Sequence, residues 1–256
     1  MNPTAEVFTS QMNRESSFSY VCNACGRCCH DKVITLSPYD VLRIAHAAGI
    51  STREAIARWT IRRGSILKFS AGGACAVLDG ARCGLHRGRP LACRLYPLGL
   101  ERIKDAYGET FVTLEPAAGS LGVYGNDGTV NGFLDAQGVA SYIEANARYA
   151  SLIAAFRERI AATADFDRVE PREFWRRAVR EALAESGYGQ NQLIDATFDA
   201  DEIGCTAIDE AETIAAHIKR LGEMIRRESN AELLAAAAVM LAVSVGFSPG
   251  EVTGQQ

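Results

Sequence analysis

Cys22-Asn23-Ala24-Cys25-Gly26-Arg27-Cys28-Cys29 places four cysteines within eight residues of a 256-residue chain that has eight in all. A two-residue gap separates Cys22 from Cys25 and Cys25 from Cys28. Such a gap lets successive sulfurs turn toward one centre while backbone N–H groups donate to them. Gly26 suits the tight turn between them. Burial as small hydrophobes, common for free cysteine, does not account for the run, because Asn23, Gly26 and Arg27 interrupt any apolar stripe. A redox dithiol needs two cysteines and usually opens a helix after a strand. The stretch reads as a thiolate ligand set for a metal, carried by a small cysteine-rich unit.

Downstream of it, Ser37, Pro38 and Asp40 precede Val41, Leu42, Ile44 and Ala45, and Gly49 follows. That order of N-cap, first-turn proline, apolar stripe and terminal glycine predicts a short helix. A second helix is predicted from Ser51 or Thr52 through Trp59 to near Gly64. Asp79-Gly80, between Cys75-Ala76-Val77-Leu78 and Cys83-Gly84-Leu85, predicts a two-residue hairpin that brings Cys75 and Cys83 near one another. Leu98–Lys104 and Thr110–Leu114 read as a further strand pair around Gly108. Residues 1–17 are polar and read as a frayed tail. Residues 119–132 are glycine-rich and read as a linker or loop. The expected division is thus a tail over 1–17, a metal-binding domain over 18–118, a linker over 119–132 and a helical domain over 133–256. Helical patterns run over 133–161, 171–186, 208–227 and 231–245, with Ser229 or Asn230 to cap the last and an Ala-rich face suited to close packing. The fold class is α+β: short helices and hairpins in front, a mainly helical region behind.

Cys75, Cys83 and Cys93 complete the candidate ligand set, with His86, between the last two, as an eighth candidate. Eight ligands would supply two four-coordinate zinc sites. Alternatively, Cys22, Cys25 and Cys28 match the first three ligands of a bacterial ferredoxin run, whose fourth cysteine precedes proline. Cys29 does not precede proline, whereas Cys93 has Pro97 nearby. The adjacent pair Cys28-Cys29 favours more than one metal atom, because neighbouring side chains of an extended chain point to opposite faces. Four thiolates around Zn(II) or an oxidised four-iron cluster carry a net charge of about −2. Arg27, Arg89 and Arg94 are the candidates for binding that anionic centre, with Arg87 close by. His30 is an outer-shell candidate. His46, His217 and Cys205 read as structural. On these grounds a 4Fe-4S iron-sulfur cluster is the favoured cofactor and zinc the alternative.

Composition narrows the remaining classes. The chain is 48% hydrophobic and 23% charged with a formal net charge of −4, the profile of a globular protein. Residues 22–104 hold 14 Lys and Arg against 5 Asp and Glu, leaving 13 against 26 elsewhere. The basic front is therefore offset by an acidic back, and no aromatic residues interleave with its arginines, so no nucleic-acid partner is expected. The first twenty residues lack a positive n-region and an apolar h-region, so no export signal is expected. The longest apolar stretch, Leu233 to Val243, is shorter than the roughly 20 residues of a membrane span, so no membrane partner is expected. A reducing cytoplasm would keep the cysteines as thiols.

Cys22 to Cys29, then Leu36-Ser37-Pro38-Tyr39-Asp40, then Cys75, Cys83 and Arg89-Pro90-Leu91-Ala92-Cys93-Arg94-Leu95-Tyr96-Pro97 resemble the bacterial YkgJ-type cysteine-cluster family over about residues 18–100. The resemblance implies zinc or iron chelation. The same cysteines are similar to those of flagellin lysine N-methylase, where a related arrangement is associated with a four-iron cluster and methyl transfer from S-adenosylmethionine. This second resemblance implies iron and does not extend to the rear helices. Gly119, Gly122 and Gly125 lack the strand-to-helix setting of a Rossmann-like cofactor loop. Three functional readings follow: an iron-sulfur protein acting on a protein or small-molecule substrate, a zinc-stabilised interaction module, and an S-adenosylmethionine-dependent protein lysine methylase.

Overall fold

The computed structural model describes residues 7–61, 64–102, 109–183, 210–247 and 253. Its small sheets and short helices in front and longer helices behind form the α+β class expected from the sequence. The chain opens with β1 (Val7–Met12) and β2 (Ser17–Val21), which correct the reading of residues 7–17 as a frayed tail. β1 finds its partner a hundred residues away. It pairs antiparallel with β8 (Glu109–Leu114), and β8 pairs with β7 (Leu98–Arg102), giving the order β1-β8-β7.

Helix α1 (Pro38–Ala48) has the expected ends. Asp40 N donates to Ser37 Oγ at 3.2 Å, Ser37 N donates back to Asp40 Oδ2 at 2.8 Å, and Gly49 closes the helix. Helix α2 (Thr52–Trp59) starts behind Ser51 but stops before Gly64. Thr60–Ile61 leaves it as β3 to pair with β4 (Ile66–Leu67), an extended conformation suited to β-branched residues. The cysteine hairpin forms from β5 (Leu78–Asp79) and β6 (Arg82–Cys83). Asp79 pairs with Arg82, so the two-residue loop is Gly80-Ala81 and not Asp79-Gly80. A five-residue helix, α3 (Leu91–Leu95), carries Cys93.

The glycine-rich segment is not the linker expected. Val123–Thr129 forms β9, paired with β2, and Val130–Gln137 forms α4 behind a Thr129 cap. Glycine serves close packing there: a Cβ at Gly122 would lie 2.1 Å from the Tyr20 hydroxyl. The long helical pattern over 133–161 is cut at Gly138 and Ser151 into α4, α5 (Ala140–Ala150) and α6 (Leu152–Thr163). Helices α7 (Pro171–Leu183), α8 (Glu210–Arg227) and α9 (Ala231–Ser244) follow. Asn230 caps α9 by accepting from Glu232 N and Leu233 N, each at 3.1 Å. α9 is the central helix of the rear half: every residue from Leu234 to Ala242 is at most 2% exposed, and α6 and α7 pack against it. Among the described residues no helix is long and apolar enough to cross a membrane.

One hydrophobic core runs through front and rear. Phe18 of β2 meets Phe133 of α4 edge-on at 5.1 Å, and Tyr39 of α1 meets Tyr142 of α5 at 4.9 Å. A smaller core of Leu36, Val41, Ile44, Ala45, Ala55, Leu67 and Cys75 lies on another side of α1. The His86–Gly88 turn sits directly on α1, where a Cβ at Gly88 would lie 2.3 Å from the Arg43 carbonyl oxygen and 2.6 Å from Ala47 Cβ. At the start of α8, Glu210 accepts from Tyr39 Oη at 2.7 Å and from Arg43, and lies 3.3 Å from His46 Nδ1. His217 is buried with Nδ1 2.6 Å from Tyr149 Oη.

Two outcomes follow from these contacts. Gly88→Ala forces α1 off the turn and should cost about 1–3 kcal/mol in urea unfolding, as overpacking does. At Glu210, burial pushes the carboxyl up, but the hydrogen bonds from Tyr39, Arg43 and His46 and the Arg43 charge outweigh it and hold it below the ordinary 4.5. Its stabilisation is complete above the unfolded-state value and lost as pH falls through the folded one. Glu210→Gln should therefore flatten the loss of stability on acidification below pH 4.5, followed by thermal melts across pH.

Candidate metal centre

The cysteine run leaves β2 at Cys22, which is exposed, and bends back through Ala24 and Gly26, both at positive φ. Cys29 N then donates to Gly26 O at 3.0 Å and closes a single 3-10 turn over Arg27–Cys29. The turn corrects the expectation that Cys28 and Cys29 face apart: their sulfurs are 3.9 Å from one another. Backbone N–H groups of Leu121 and Arg27 donate toward Cys25 and hold its thiol below the ordinary value.

The remaining cysteines are delivered by three separate contacts. Cys75 N donates to Cys29 O at 2.9 Å, and His30 bridges Ala74, which seats Cys75 beside the run. The tip of the cysteine hairpin rests on the loop, with Ala81 O 3.3 Å from where a Cβ of Gly26 would be, and Leu78 pairs with Cys83. Cys93 comes on α3, whose first N–H, from Leu91, donates to Asp40 Oδ1 at 2.8 Å. Asp40 Oδ2 also accepts from Ser37 N and Ser37 Oγ, each at 2.8 Å, so one buried carboxylate holds the starts of α1 and α3. All seven described cysteines are free thiols, and Cys205 lies outside the described residues.

Six of the seven, all but Cys25, line one cavity of about 1040 Å³ together with His86 and Arg89. Within it five thiols sense one another. Burial, then the charge of neighbouring thiols, pushes Cys93 and Cys75 up. Burial likewise pushes Cys83 up, with Cys28 adding to it and Arg89 opposing. The Cys28–Cys29 contact holds Cys28 down and pushes Cys29 up, and the charges of Arg89 and Lys32 also favour the Cys28 thiolate. Among the described residues no group of three His, Cys, Asp or Glu side chains converges closely enough to hold an ion as placed. The donor chemistry nonetheless fits a cation. Crowded thiols that disfavour one another's ionised form are relieved by a metal, which takes its ligands as thiolates.

The other expected residues divide. Arg89 lines the cavity and donates to Gln137 Oε1 at 2.6 Å. Arg94, expected to face the cofactor, instead donates to the carbonyls of Arg89, Gln137 and Arg87 at 3.0, 2.7 and 2.7 Å and lies 4.7 Å from the Tyr142 ring. Arg27 is exposed, lies beside Gly119 and is not on the cavity wall. His30 has its Nδ1 3.1 Å from Gly26 O and is not on the cavity wall. Burial, then the charges of Arg89, Arg94 and Arg82, hold the His86 imidazole below its ordinary value, in the neutral form that ligates metals. Lys32 and Arg82 also line the cavity and were not foreseen, although each lies within three residues of a cysteine.

Asp40→Asn turns one acceptor of the carboxylate into a donor facing N–H or O–H groups. It should cost about 1–3 kcal/mol in denaturant unfolding and lower the metal retained per chain through Cys93.

Residues 21–111 match the CxxCxxCC family model, described as a "putative zinc- or iron-chelating domain". No curated protein and no solved structure matches the chain. The matched segment runs from the end of β2 to the middle of β8 and takes in all seven described cysteines and Asp40. The cysteine-bearing front of this chain is a domain of the CxxCxxCC cysteine-cluster family.

Proposed function

We propose that the front of the chain holds an iron-sulfur cluster, of the 4Fe-4S kind, and presents it to a substrate in the same cavity. The observation that carries the reading is the number of thiols that share one space. A tetrahedral zinc site is completed by four ligands. Here six cysteines line a single cavity, and five of them, Cys28, Cys29, Cys75, Cys83 and Cys93, act on one another electrostatically. A four-iron cluster takes four of these thiolates from the one shared space, with the spare thiols or His86 at its edge. When bound, a cluster of this kind supplies electron transfer or a Lewis-acidic iron.

The chain's own residues have separable tasks in this reading. Cys28 and Cys29 offer thiols from the 3-10 turn, Cys75 and Cys83 from the hairpin side and Cys93 from α3, and four of these anchor the centre. Arg89 and Lys32 favour the Cys28 thiolate and offset the negative charge of a thiolate centre. The walls contributed by Leu67, Phe69 and Val77 keep that side of the cavity apolar, which strengthens these charge interactions.

Anaerobic purification followed by iron, zinc and acid-labile sulfide analysis and a visible spectrum tests the proposal. A brown protein with broad visible absorption and near-equal iron and sulfide is expected. Colourless protein with stoichiometric zinc would show that the centre is a zinc site and the iron reading wrong.

A further inference from the structure

The cavity is larger than a metal centre needs. Thiolate–metal bonds of about 2.3 Å keep a metal against its cysteines. The whole space measures about 1040 Å³, the upper end of what small-molecule sites enclose. Its wall continues beyond the cysteines onto Leu95 of α3 and onto Val243 and Val245, at the end of α9 and just past it. The rear helices therefore build part of the same chamber.

The charge on that wall also exceeds what the metal centre accounts for. Lys32, Arg82 and Arg89 line it, and among the described residues none of the three forms an ion pair with a carboxylate. A thiolate-bound zinc or an oxidised four-iron centre carries about −2, which leaves about one positive charge over. Of the two carboxylates on the wall among the described residues, Asp40 is committed to Ser37 and Leu91 and faces the charge of Arg94, while Glu115 is exposed to solvent. Arg89 keeps a buried Nε without a hydrogen-bond partner.

We propose that the chamber binds a small organic carboxylate beside the metal centre. Its anionic group lies on the Arg89 guanidinium, whose planar fork suits carboxylates, in the field of Lys32 and Arg82. Its apolar body lies against Leu95, Val243 and Val245. The inference rests on the reading of this cavity as a metal centre, and on neither metal in particular.

Calorimetric titration of the full chain with hexanoate, butyrate and 1-hexanol, with metal content measured on the same sample, tests it. Hexanoate should saturate one site per chain, with butyrate and 1-hexanol each weaker by about tenfold or more. Arg89→Gln should weaken hexanoate by about tenfold or more without changing 1-hexanol. Arg82→Gln, at an exposed position, should weaken it about twofold to fivefold; it decides the matter if Arg89→Gln loses its metal. Equal binding of alcohol and carboxylate, or unchanged affinity in Arg82→Gln and Arg89→Gln, overturns the proposal. Metal with no saturable hexanoate binding overturns this inference alone. Hexanoate binding in a chain that takes up no metal overturns the metal centre and the carboxylate's place beside it.

Discussion

The carboxylate of Asp40 is the constraint on which the front of the structure depends. A buried carboxylate without partners is costly, and this one is tolerated because both oxygens accept hydrogen bonds, from Ser37 N, Ser37 Oγ and Leu91 N. Burial pushes its proton affinity up and those donors oppose the rise. One residue thereby caps α1 and holds the start of α3, which sets where Cys93 lies. Helix α1 itself stands between two cores, with Tyr39 and Leu42 in the large one and Val41, Ile44 and Ala45 in the small one. Its exposed side reaches Glu210 through Arg43 and His46, so α1 ties the cysteine region to the rear helices.

The cavity is a balance of like charges against a few cations. Cys93 is half-buried among other thiols, and such a group disfavours ionisation until a positive charge is present. The arginines of the front divide accordingly. Arg94 spends its donors on three carbonyls and fixes the turn, α3 and the end of α4 relative to one another. Arg89 keeps its charge on the cavity wall, where it acts on Cys28 and Cys83. A single sequence feature, the arginine-rich turn before and after Cys93, thus serves structure at one position and electrostatics at another.

What could be read without coordinates was carried by local chemistry. Ser37-Pro38 and Gly49 mark α1 because caps act within a turn, Asn230 marks the start of α9 for the same reason, and a Gly-centred loop marks the hairpin beside Cys83. The cysteine spacing identified the metal-binding character of the front on equally local grounds. β1 and β9 escaped because strand pairing is set by a partner far along the chain: Val7 faces Leu114, and Val21 faces Val123. The glycines of 119–132 suggested flexibility, whereas at Gly122 the missing side chain makes room for Tyr20.

The sequence by itself determined the candidate metal ligands and the ends of helices such as α1 and α9, since both depend on neighbours a few positions apart. Only the tertiary structure decided how those residues meet. The 3-10 turn set Cys28 and Cys29 side by side, the buried Asp40 placed Cys93 among the other thiols, and the end of α9 completed part of the wall of the chamber they share. These arrangements depend on burial and on hydrogen bonds between distant segments, which no local pattern encodes.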